Sequence, residues 1–271
     1  MNTHKKIVQR AFLLLLVFAL KPISVDARKV DDCSIVINGE AQAVSFITKT
    51  KEGQNVSVDG VLMKPEGDGP FSGVVLLHGS DGIFPPSCYE PKLRHFVESG
   101  YASLLIDSTS AERPTRWMGK YTSEDQAQDA HKGRTFLAKL PYVMSDRIGV
   151  VGWSRGGAAA IEAVSNNKMT FRMEKEAPFQ AAVTLFPICW KMTTDLEAPL
   201  LILIGEADSI TPAVVCKRMT VSKRNDVEYQ IVTYPDIEHV FDFEKSSSYD
   251  EQAALDAYVR SDKFFAKYLK E

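Results

Sequence analysis

The chain has 271 residues, of which 45% are hydrophobic and 25% are charged, and its formal net charge is −3 at pH 7. This is ordinary globular composition, and the length is sufficient for one large hydrophobic core. A net acidic chain that has no basic tract argues against nucleic acid as a partner.

The N-terminus has the pattern of a secretory signal peptide. Basic residues, Lys5 and Arg10 among them, precede an apolar run over residues 11–20, and residues 25–27 fit the usual cleavage positions. The run is too short to span a bilayer, which needs about 20 apolar residues. We therefore predict a signal peptide over residues 1–27.

Cleavage would leave residues 28–271 as the mature chain. We expect a single domain there, because the sequence contains no repeat, no low-complexity segment and no long linker. Asp32 is the wrong residue directly before Cys33 for a lipid-attachment site. The mature protein is therefore expected to be exported, either periplasmic or secreted, without a stable membrane anchor.

Export gives the cysteine count a meaning. An even number of cysteines in an oxidising compartment suggests disulfides, here two. Cys189 and Cys216 each follow a predicted strand, which favours a Cys189–Cys216 bridge, and Cys33–Cys88 then follows by elimination. Buried thiols that behave as small hydrophobic side chains are the alternative.

Two stretches of alternating polar and apolar residues, 43–49 and 56–63, open the mature domain and predict antiparallel edge strands. Continuously apolar runs then recur with helical stretches between them, which is typical of a parallel sheet covered by helices on both faces. The predicted parallel strands are residues 73–77, 102–106, 148–151, 181–186, 200–204 and 229–232. The predicted helices are residues 91–99, 123–139, 156–165, 212–221 and 249–270. The apolar face of the last helix is expected to pack in the core and comprises Leu255, Tyr258, Val259, Phe265 and Leu269.

The most specific signal is the segment 152–157, Gly-Trp-Ser-Arg-Gly-Gly, between the apolar strand at 148–151 and a small-residue helix. A serine flanked by glycines at a strand-to-helix turn is a nucleophile elbow, in which a strained backbone exposes the serine Oγ above the sheet. Glycine is needed on both sides because a Cβ there would clash with the neighbouring strand or helix. The segment predicts Ser154 as a nucleophile, and a surface turn with an idle serine is the alternative.

A serine nucleophile needs a general base and an acid that orients the base, here in the chain order Ser, Asp or Glu, His. Only His239 follows Ser154, and it falls in a loop after the last predicted strand. Asp208, in the turn after the strand at 200–204, is the predicted acid, with Glu206 as the reserve.

The other titratable candidates are not predicted to be the base or the acid. His78 precedes the serine and is out of order, while His95 and His131 lie on predicted helices, where they are expected to be solvated or packed. Asp236 and Asp242 flank the loop histidine and are expected to be solvated. No His/Cys/Asp cluster has metal-ligand spacing, so no metal is expected.

The oxyanion that forms when a serine attacks a carbonyl needs backbone N–H donors. One expected donor is Arg155, which follows the nucleophile at a helix N-terminus with a favourable dipole. The loop after the first central strand, residues 77–82 (Leu-His-Gly-Ser-Asp-Gly), is expected to supply the other from Ser80. A plain glycine-rich turn is the alternative for that loop.

The whole series resembles the dienelactone hydrolase family of α/β-hydrolases. The matching segments are residues 78–82, 100–107, 146–157, 201–208 and 234–239. The resemblance extends from about Val56 to the C-terminus. It implies an α/β-hydrolase fold, a Ser or Cys nucleophile with Asp and His, no metal or cofactor, and hydrolysis of a small-molecule ester or lactone.

A lid domain is not expected. In this fold a lid is usually inserted between the two strands that residues 188–199 connect here, and that connection is too short to hold one. The site is therefore expected to be open and shaped by the loops at residues 83–88 and 107–122.

The expected activity is that of a serine carboxylesterase that forms an acyl-enzyme. The name-giving enzymes of the family use a thiol where this chain has Ser154 and a glutamate where it has Gly79, and they act on small anionic lactones. Arg113 and Arg116 could clamp an anionic substrate by bidentate hydrogen bonds. A peptidase of the same fold and a non-catalytic binding protein that retains the fold are the alternatives.

Overall fold

The structure is a computed structural model that describes residues 41–50, 53–83, 88–111, 121–166, 177–189, 193–222 and 227–270. In chain order the strands are β1 Ala41–Lys49, β2 Asn55–Met63, β3 Phe71–Leu77, β4 Tyr101–Asp107, β5 Val143–Trp153, β6 Ala182–Leu185, β7 Thr193–Asp195, β8 Leu200–Gly205, β9 Thr220–Ser222 and β10 Tyr229–Tyr234. The helices are α1 Glu90–Glu98, α2 Ser123–Leu137, α3 Arg155–Ala163, α4 Ala213–Lys217 and α5 Glu251–Leu269.

Eight strands form one sheet in the order β1-β2-β4-β3-β5-β6-β8-β10. β1 and β2 run antiparallel to each other, and β2 runs antiparallel to β4. All the remaining neighbours pair in parallel. The mostly parallel sheet expected of an α/β-hydrolase fold is therefore confirmed.

The burial of the strands follows their sequence patterns. Every residue of β4, β6 and β8 is buried, as continuous apolar runs predict for strands covered on both faces. β1 instead mixes buried and exposed positions, which suits an edge strand. The hydrophobic core is thus concentrated around the parallel strands.

The parallel strands place the candidate site. The carboxyl ends of parallel strands meet at one edge of a sheet, where ligands of α/β folds bind. Ser154 directly follows β5, Asp208 comes three residues after β8, and His239 comes five residues after β10. Three segments that are far apart in the sequence therefore meet at one edge.

The elements differ from the predictions at three places. β2 lies between β1 and β4, so only β1 is an edge strand of this pair. β5 begins at Val143, five residues earlier than predicted. The helix predicted over residues 212–221 ends at Lys217, because residues 220–222 form β9 and pair in parallel with β7.

The apolar face of α5 was predicted only in part. Phe265 and Leu269 are buried, but Leu255 is 65% exposed and Val259 is 41% exposed, so the expectation of core packing was wrong for these two. Residues four apart share one side of a helix, and the stripe through Leu255 and Val259 is not the stripe that faces the sheet. Ala257 lies on the buried stripe.

The structure contains the expected disulfide between Cys189 and Cys216, whose Cα atoms are 5.1 Å apart. It joins the segment after β6 to α4. The predicted partner of Cys88, Cys33, lies outside the described residues, and so does the predicted signal peptide. Within the described segments, none of the helices combines the length and the hydropathy that crossing a membrane requires.

Candidate active site

Ser154 lies in a sharp turn between β5 and α3. Its backbone φ is +52°, a value that residues other than glycine rarely adopt. A Cβ at Gly152 would lie 2.0 Å from the Gly156 carbonyl oxygen, and a Cβ at Gly156 would lie 2.1 Å from the Leu77 carbonyl oxygen. Both glycines are therefore required by close backbone approaches, as a nucleophile elbow demands.

The structure brings Ser154, His239 and Asp208 together. His239 Nε2 lies 3.1 Å from Ser154 Oγ, and His239 Nδ1 lies 2.7 Å from Asp208 Oδ2. Asp208 and His239 are both buried, at 3% and 8% exposure. The order nucleophile, base and orienting carboxylate is the arrangement that activates a hydroxyl for attack.

The Asp208 carboxylate is surrounded by donors from its own turn. Its Oδ1 accepts the amides of Ile210 and Thr211 at 2.9 and 2.7 Å, and its Oδ2 accepts the Thr211 hydroxyl at 2.7 Å. Burial alone would raise the pKa of Asp208, but hydrogen bonds from His239 and Thr211 outweigh it and lower that pKa. We call residues 206–212 the acid loop.

The reserve acid does not reach the site. Glu206 is exposed and accepts a hydrogen bond from Lys217 Nζ at 2.7 Å and another from the Thr233 hydroxyl at 2.8 Å. The hydrogen bond from Lys217 is the main reason that the pKa of Glu206 is lowered. Asp208, rather than Glu206, is thus the carboxylate at the histidine.

Residues 78–82, which we call the oxyanion loop after the role expected of the Ser80 amide, lie against Ser154. A Cβ at Gly79 would be 3.6 Å from the Ser154 Cβ. The Gly79 amide donates to the Tyr89 hydroxyl oxygen at 2.7 Å, so it is already used. The Gly79 carbonyl accepts the Tyr121 hydroxyl at 3.1 Å. Because a trans peptide directs its C=O and N–H oppositely, this contact also fixes the direction of the Ser80 amide.

His78 has a role in this loop that the sequence did not reveal. The side chain is fully buried, and its Nε2 accepts the Ser108 amide at 3.1 Å. Nδ1 therefore carries the proton and donates to the Gly79 carbonyl at 2.6 Å, an assignment that follows from the hydrogen bonds. Burial lowers the pKa of His78, which keeps the imidazole neutral.

Tyr121 and Arg155 complete the support of the oxyanion loop. Burial raises the pKa of Tyr121 to about 12, so its hydroxyl stays protonated and can donate. The Arg155 side chain lies over the Tyr121 ring at 5.1 Å and donates to the Tyr121 carbonyl at 3.3 Å. Arg155 is the first residue of α3, where amides have no partner within the helix.

The expectation that Asp242 is solvated was wrong. Asp242 is 4% exposed, and its carboxylate accepts hydrogen bonds from Trp153 and Tyr258. Its partners lie far away in the sequence, so nothing local marked it as buried. Asp236 is exposed, as expected. His131 lies on α2 and is buried, so of its two expected environments it has the packed one.

Some predicted features fall on parts of the chain that are not described. Arg113 and Arg116, and most of the loop between residues 107 and 122, lie outside the described residues. Across the part of the chain that is described, no group of His, Cys, Asp and Glu side chains could hold a metal ion.

The sequence profile of the dienelactone hydrolase family matches residues 58–269. Among curated proteins, Esterase FrsA of Escherichia coli O1:K1 is 31% identical over 106 residues, which are 38% of this chain and 24% of that protein. The match thus spans about a quarter of the length of this relative.

Solved structures of an esterase from the Planctomycetes species Thermogutta terrifontis have the same fold. Its propionate-bound esterase 2 aligns with a TM-score of 0.63 at 16% identity, covering 84% of this chain and 96% of that chain. The same enzyme phosphorylated by paraoxon aligns with a TM-score of 0.64 at 17% identity, covering 84% and 96%. At these identities the likeness is one of fold.

Proposed function

Because the chain belongs to the dienelactone hydrolase family, we propose that it is a serine esterase that cleaves carboxylic esters or lactones through an acyl-enzyme. The observation that carries this proposal is the continuous hydrogen-bonded series from Ser154 Oγ through His239 to Asp208. A hydroxyl, an imidazole and a carboxylate in this order make a nucleophile out of an otherwise unreactive serine.

In the proposed acylation step, Ser154 Oγ attacks the ester carbonyl carbon while His239 Nε2 takes the hydroxyl proton. The C–O bond to the alcohol then breaks, and His239 returns the proton to the departing oxygen. A water molecule next attacks the acyl-enzyme with His239 as base, which releases the acid and regenerates Ser154. Proton transfer by a positioned base of this kind contributes about 10²–10⁴ in rate.

Asp208 is proposed to orient the imidazole and to stabilise its protonated form. Its carboxylate accepts from Nδ1, so the neutral tautomer presents an unprotonated Nε2 to the serine. The lowered pKa of Asp208 keeps the carboxylate ionised throughout the cycle. Asp208 is therefore an electrostatic partner rather than a proton carrier.

The amides of Ser80 and Arg155 are proposed to bind the oxyanion. Gly79 lies against Ser154 with its own amide engaged by Tyr89, which leaves the next amide, that of Ser80, as the candidate donor of this loop. Each donor of an oxyanion hole is worth about 3 kcal/mol of barrier. Arg155 adds the dipole at the N-terminus of α3.

Two relatives support an ester substrate. The Thermogutta terrifontis esterase has been seen with propionate bound and phosphorylated by paraoxon, and FrsA carries the name esterase. By analogy, we expect Ser154 of this chain to react with organophosphorus reagents and to accept short acyl groups.

Labelling with a fluorophosphonate probe tests the proposal. The parent protein should hydrolyse 4-nitrophenyl acetate and take up one probe molecule at Ser154, located by peptide mapping. Ser154→Ala should lose both properties. Asp236→Asn, an exposed change in the histidine loop, is the matched control and should keep them. A parent that neither reacts nor hydrolyses esters would favour a binding protein, and turnover of peptides but not esters would favour a peptidase.

We also propose that the protein is exported after cleavage near residue 27. The Cys189–Cys216 disulfide supports this, because such bridges persist in oxidising compartments. N-terminal sequencing of protein recovered outside the cytoplasm should give a start close to residue 28. Recovery of the full leader on a protein that stays in the cytoplasm would contradict export.

A further inference from the structure

A buried polar cluster joins the strand that carries the nucleophile to the loop that carries the histidine. Asp242 Oδ2 accepts from Trp153 Nε1 at 2.8 Å and from the Tyr258 hydroxyl at 3.0 Å. Lys92 Nζ lies 3.1 Å from the same oxygen and donates to the main-chain carbonyl of Asp242 at 2.9 Å. We call these four residues the Asp242 cluster.

The charges of this cluster are removed from water. The side chains of Lys92 and Asp242 are 4% and 0% exposed, and Lys92 Nζ lies 3.7 Å from the centroid of the Phe243 ring. Burying an ammonium and a carboxylate carries a large desolvation penalty, and apolar residues of similar volume are often at least as stable. Stability alone is therefore a weak reason for an ion pair at this place.

The cluster lies next to both catalytic candidates in the sequence. Trp153 directly precedes Ser154, and Asp242 comes three residues after His239. The short links between them are strained, because Ser154 has a φ of +52° and the β-branched Val240 has a φ of +57°. Such conformations persist only where the surroundings hold them.

We propose that Asp242 is a positioning residue for the esterase reaction. By holding Trp153, it keeps the histidine loop at a fixed distance from the elbow, so that His239 Nε2 stays 3.1 Å from Ser154 Oγ. The inference rests on the proposed function, because this spacing matters only if a proton crosses it. Proton transfer needs hydrogen-bond reach, and a misplacement of about 1 Å can cost about 10²-fold in rate.

Asp242→Asn is the first test. It keeps the shape but replaces the charged carboxylate with a neutral amide, which weakens the hydrogen bonds from Trp153 and Tyr258 and releases Lys92. We expect kcat for 4-nitrophenyl acetate to fall about 10- to 100-fold while KM stays within about threefold, because alignment is lost and ground-state binding is kept. The rate of fluorophosphonate labelling should fall by the same factor as kcat.

Arg134→Met is the matched control for a purely structural effect. Arg134 is also a buried cation, and it donates to the carbonyl oxygens of Pro178 and Ser145 at 2.8 and 2.9 Å. Arg134 lies in α2, and the two carbonyl oxygens that it binds belong neither to the elbow nor to the histidine loop. Its replacement should lower the melting temperature but leave kcat of the folded protein within about twofold of the parent.

A double variant keeps the proposal testable if Asp242→Asn does not fold. Lys92→Met/Asp242→Leu leaves no uncompensated buried charge, so the fold should be retained. It also removes the acceptor of Trp153, and kcat should therefore fall about as much as in Asp242→Asn.

The possible outcomes separate this inference from the proposed function. A parent that hydrolyses no ester and takes up no probe would overturn both. An active parent with a folded Asp242→Asn or double variant whose kcat is within twofold of the parent would overturn the positioning role alone. Loss of kcat and labelling at constant KM in Asp242→Asn, beside an Arg134→Met variant whose kcat is within twofold of the parent, would establish the positioning role.

Discussion

The two loops beside Ser154 are held in place by different chemistry. The acid loop is organised around one negative charge, that of Asp208, and is followed by α4, which a disulfide ties to the segment after β6. The oxyanion loop is organised around the direction of its peptide groups, which neutral side chains such as His78 and Tyr121 hold by hydrogen bonds. We therefore expect the two loops to be sensitive to different perturbations.

The largest effect is expected on the acid side. Asp208→Asn should lower kcat by about 10⁴, because an amide does not hold the imidazole in the productive tautomer. Glu206→Gln, which changes the nearby exposed carboxylate, should keep kcat close to that of the parent. Steady-state kinetics on 4-nitrophenyl acetate measure both. A larger loss in Glu206→Gln would show that the wrong carboxylate has been chosen.

The oxyanion loop should give the next largest effect. His78→Ala removes the Nδ1–H donor to the Gly79 carbonyl and should lower kcat by up to about 10², less than the loss of an oxyanion donor itself. Tyr121→Phe should cost less, because the His78 hydrogen bond remains. His95→Gln on α1 is the control histidine.

A trifluoromethyl ketone inhibitor distinguishes loss of the oxyanion hole from general damage. It forms a tetrahedral adduct that occupies the hole, so its affinity should fall in His78→Ala by the same factor as kcat/KM. Unchanged inhibitor affinity beside a reduced kcat/KM would show that His78 does not act through the oxyanion loop.

The disulfide should affect the free energy of unfolding and the acid side of the site. Cys189→Ser/Cys216→Ser opens a loop with a sequence separation of 27 residues, and the chain-entropy model gives a loss of about 3 kcal/mol in the free energy of unfolding. We expect a lower melting temperature and a kcat reduced a few-fold, since α4 directly follows the acid loop. Peptide mapping without reductant checks the bridge first. A bridge between Cys33 and either of these cysteines would refute the pairing.

Acidification should weaken the oxyanion side before the acid side, and this effect is the smallest. Burial lowers the pKa of His78 from its ordinary 6.5, against the opposing effects of the hydrogen bond to the Gly79 carbonyl and of the Asp107 carboxylate, which lies 3.8 Å away. Below pH 6.5, His78 therefore binds a proton in the unfolded chain more readily than in the folded protein. The contribution of His78 to the free energy of unfolding is fully present above pH 6.5 and falls as the pH decreases.

The acid loop behaves differently, because the pKa of Asp208 is held below its ordinary 3.8 and its contribution is lost only below that pH. Melting curves of the parent and of His78→Gln between pH 4 and pH 8 test the difference. The parent should lose stability from about pH 6.5 downwards, more steeply than the variant. Identical slopes would contradict a neutral, buried His78.

The sequence predicted the residues that chemistry demands in a fixed order. Ser154 was marked by its glycines, His239 by being the only histidine after it, and Asp208 by its turn at the end of a strand. The pattern Asp208-x-x-Thr211 could also have been found, since a hydroxyl three residues on is a common partner of an aspartate at a turn.

The supporting side chains could not be found in this way. Tyr89, Tyr121 and Asp242 act on main-chain or indole groups that are distant in the sequence and close only in the folded chain. The same is true of β9, whose three residues form a strand because β7 lies beside them. Tertiary contacts, rather than local propensity, decide such features.

The tight approaches of Gly152 and Gly156 bear on how relatives of this chain should be interpreted. Neither glycine touches the proposed reacting atoms, yet a methyl group at either would collide with backbone at 2.0 or 2.1 Å. Selection for folding alone would therefore retain both glycines in a descendant that had exchanged Ser154 for an inert residue and lost its activity. The presence of both glycines therefore indicates only that the fold is retained. The residue at position 154 indicates whether the proposed activity is retained.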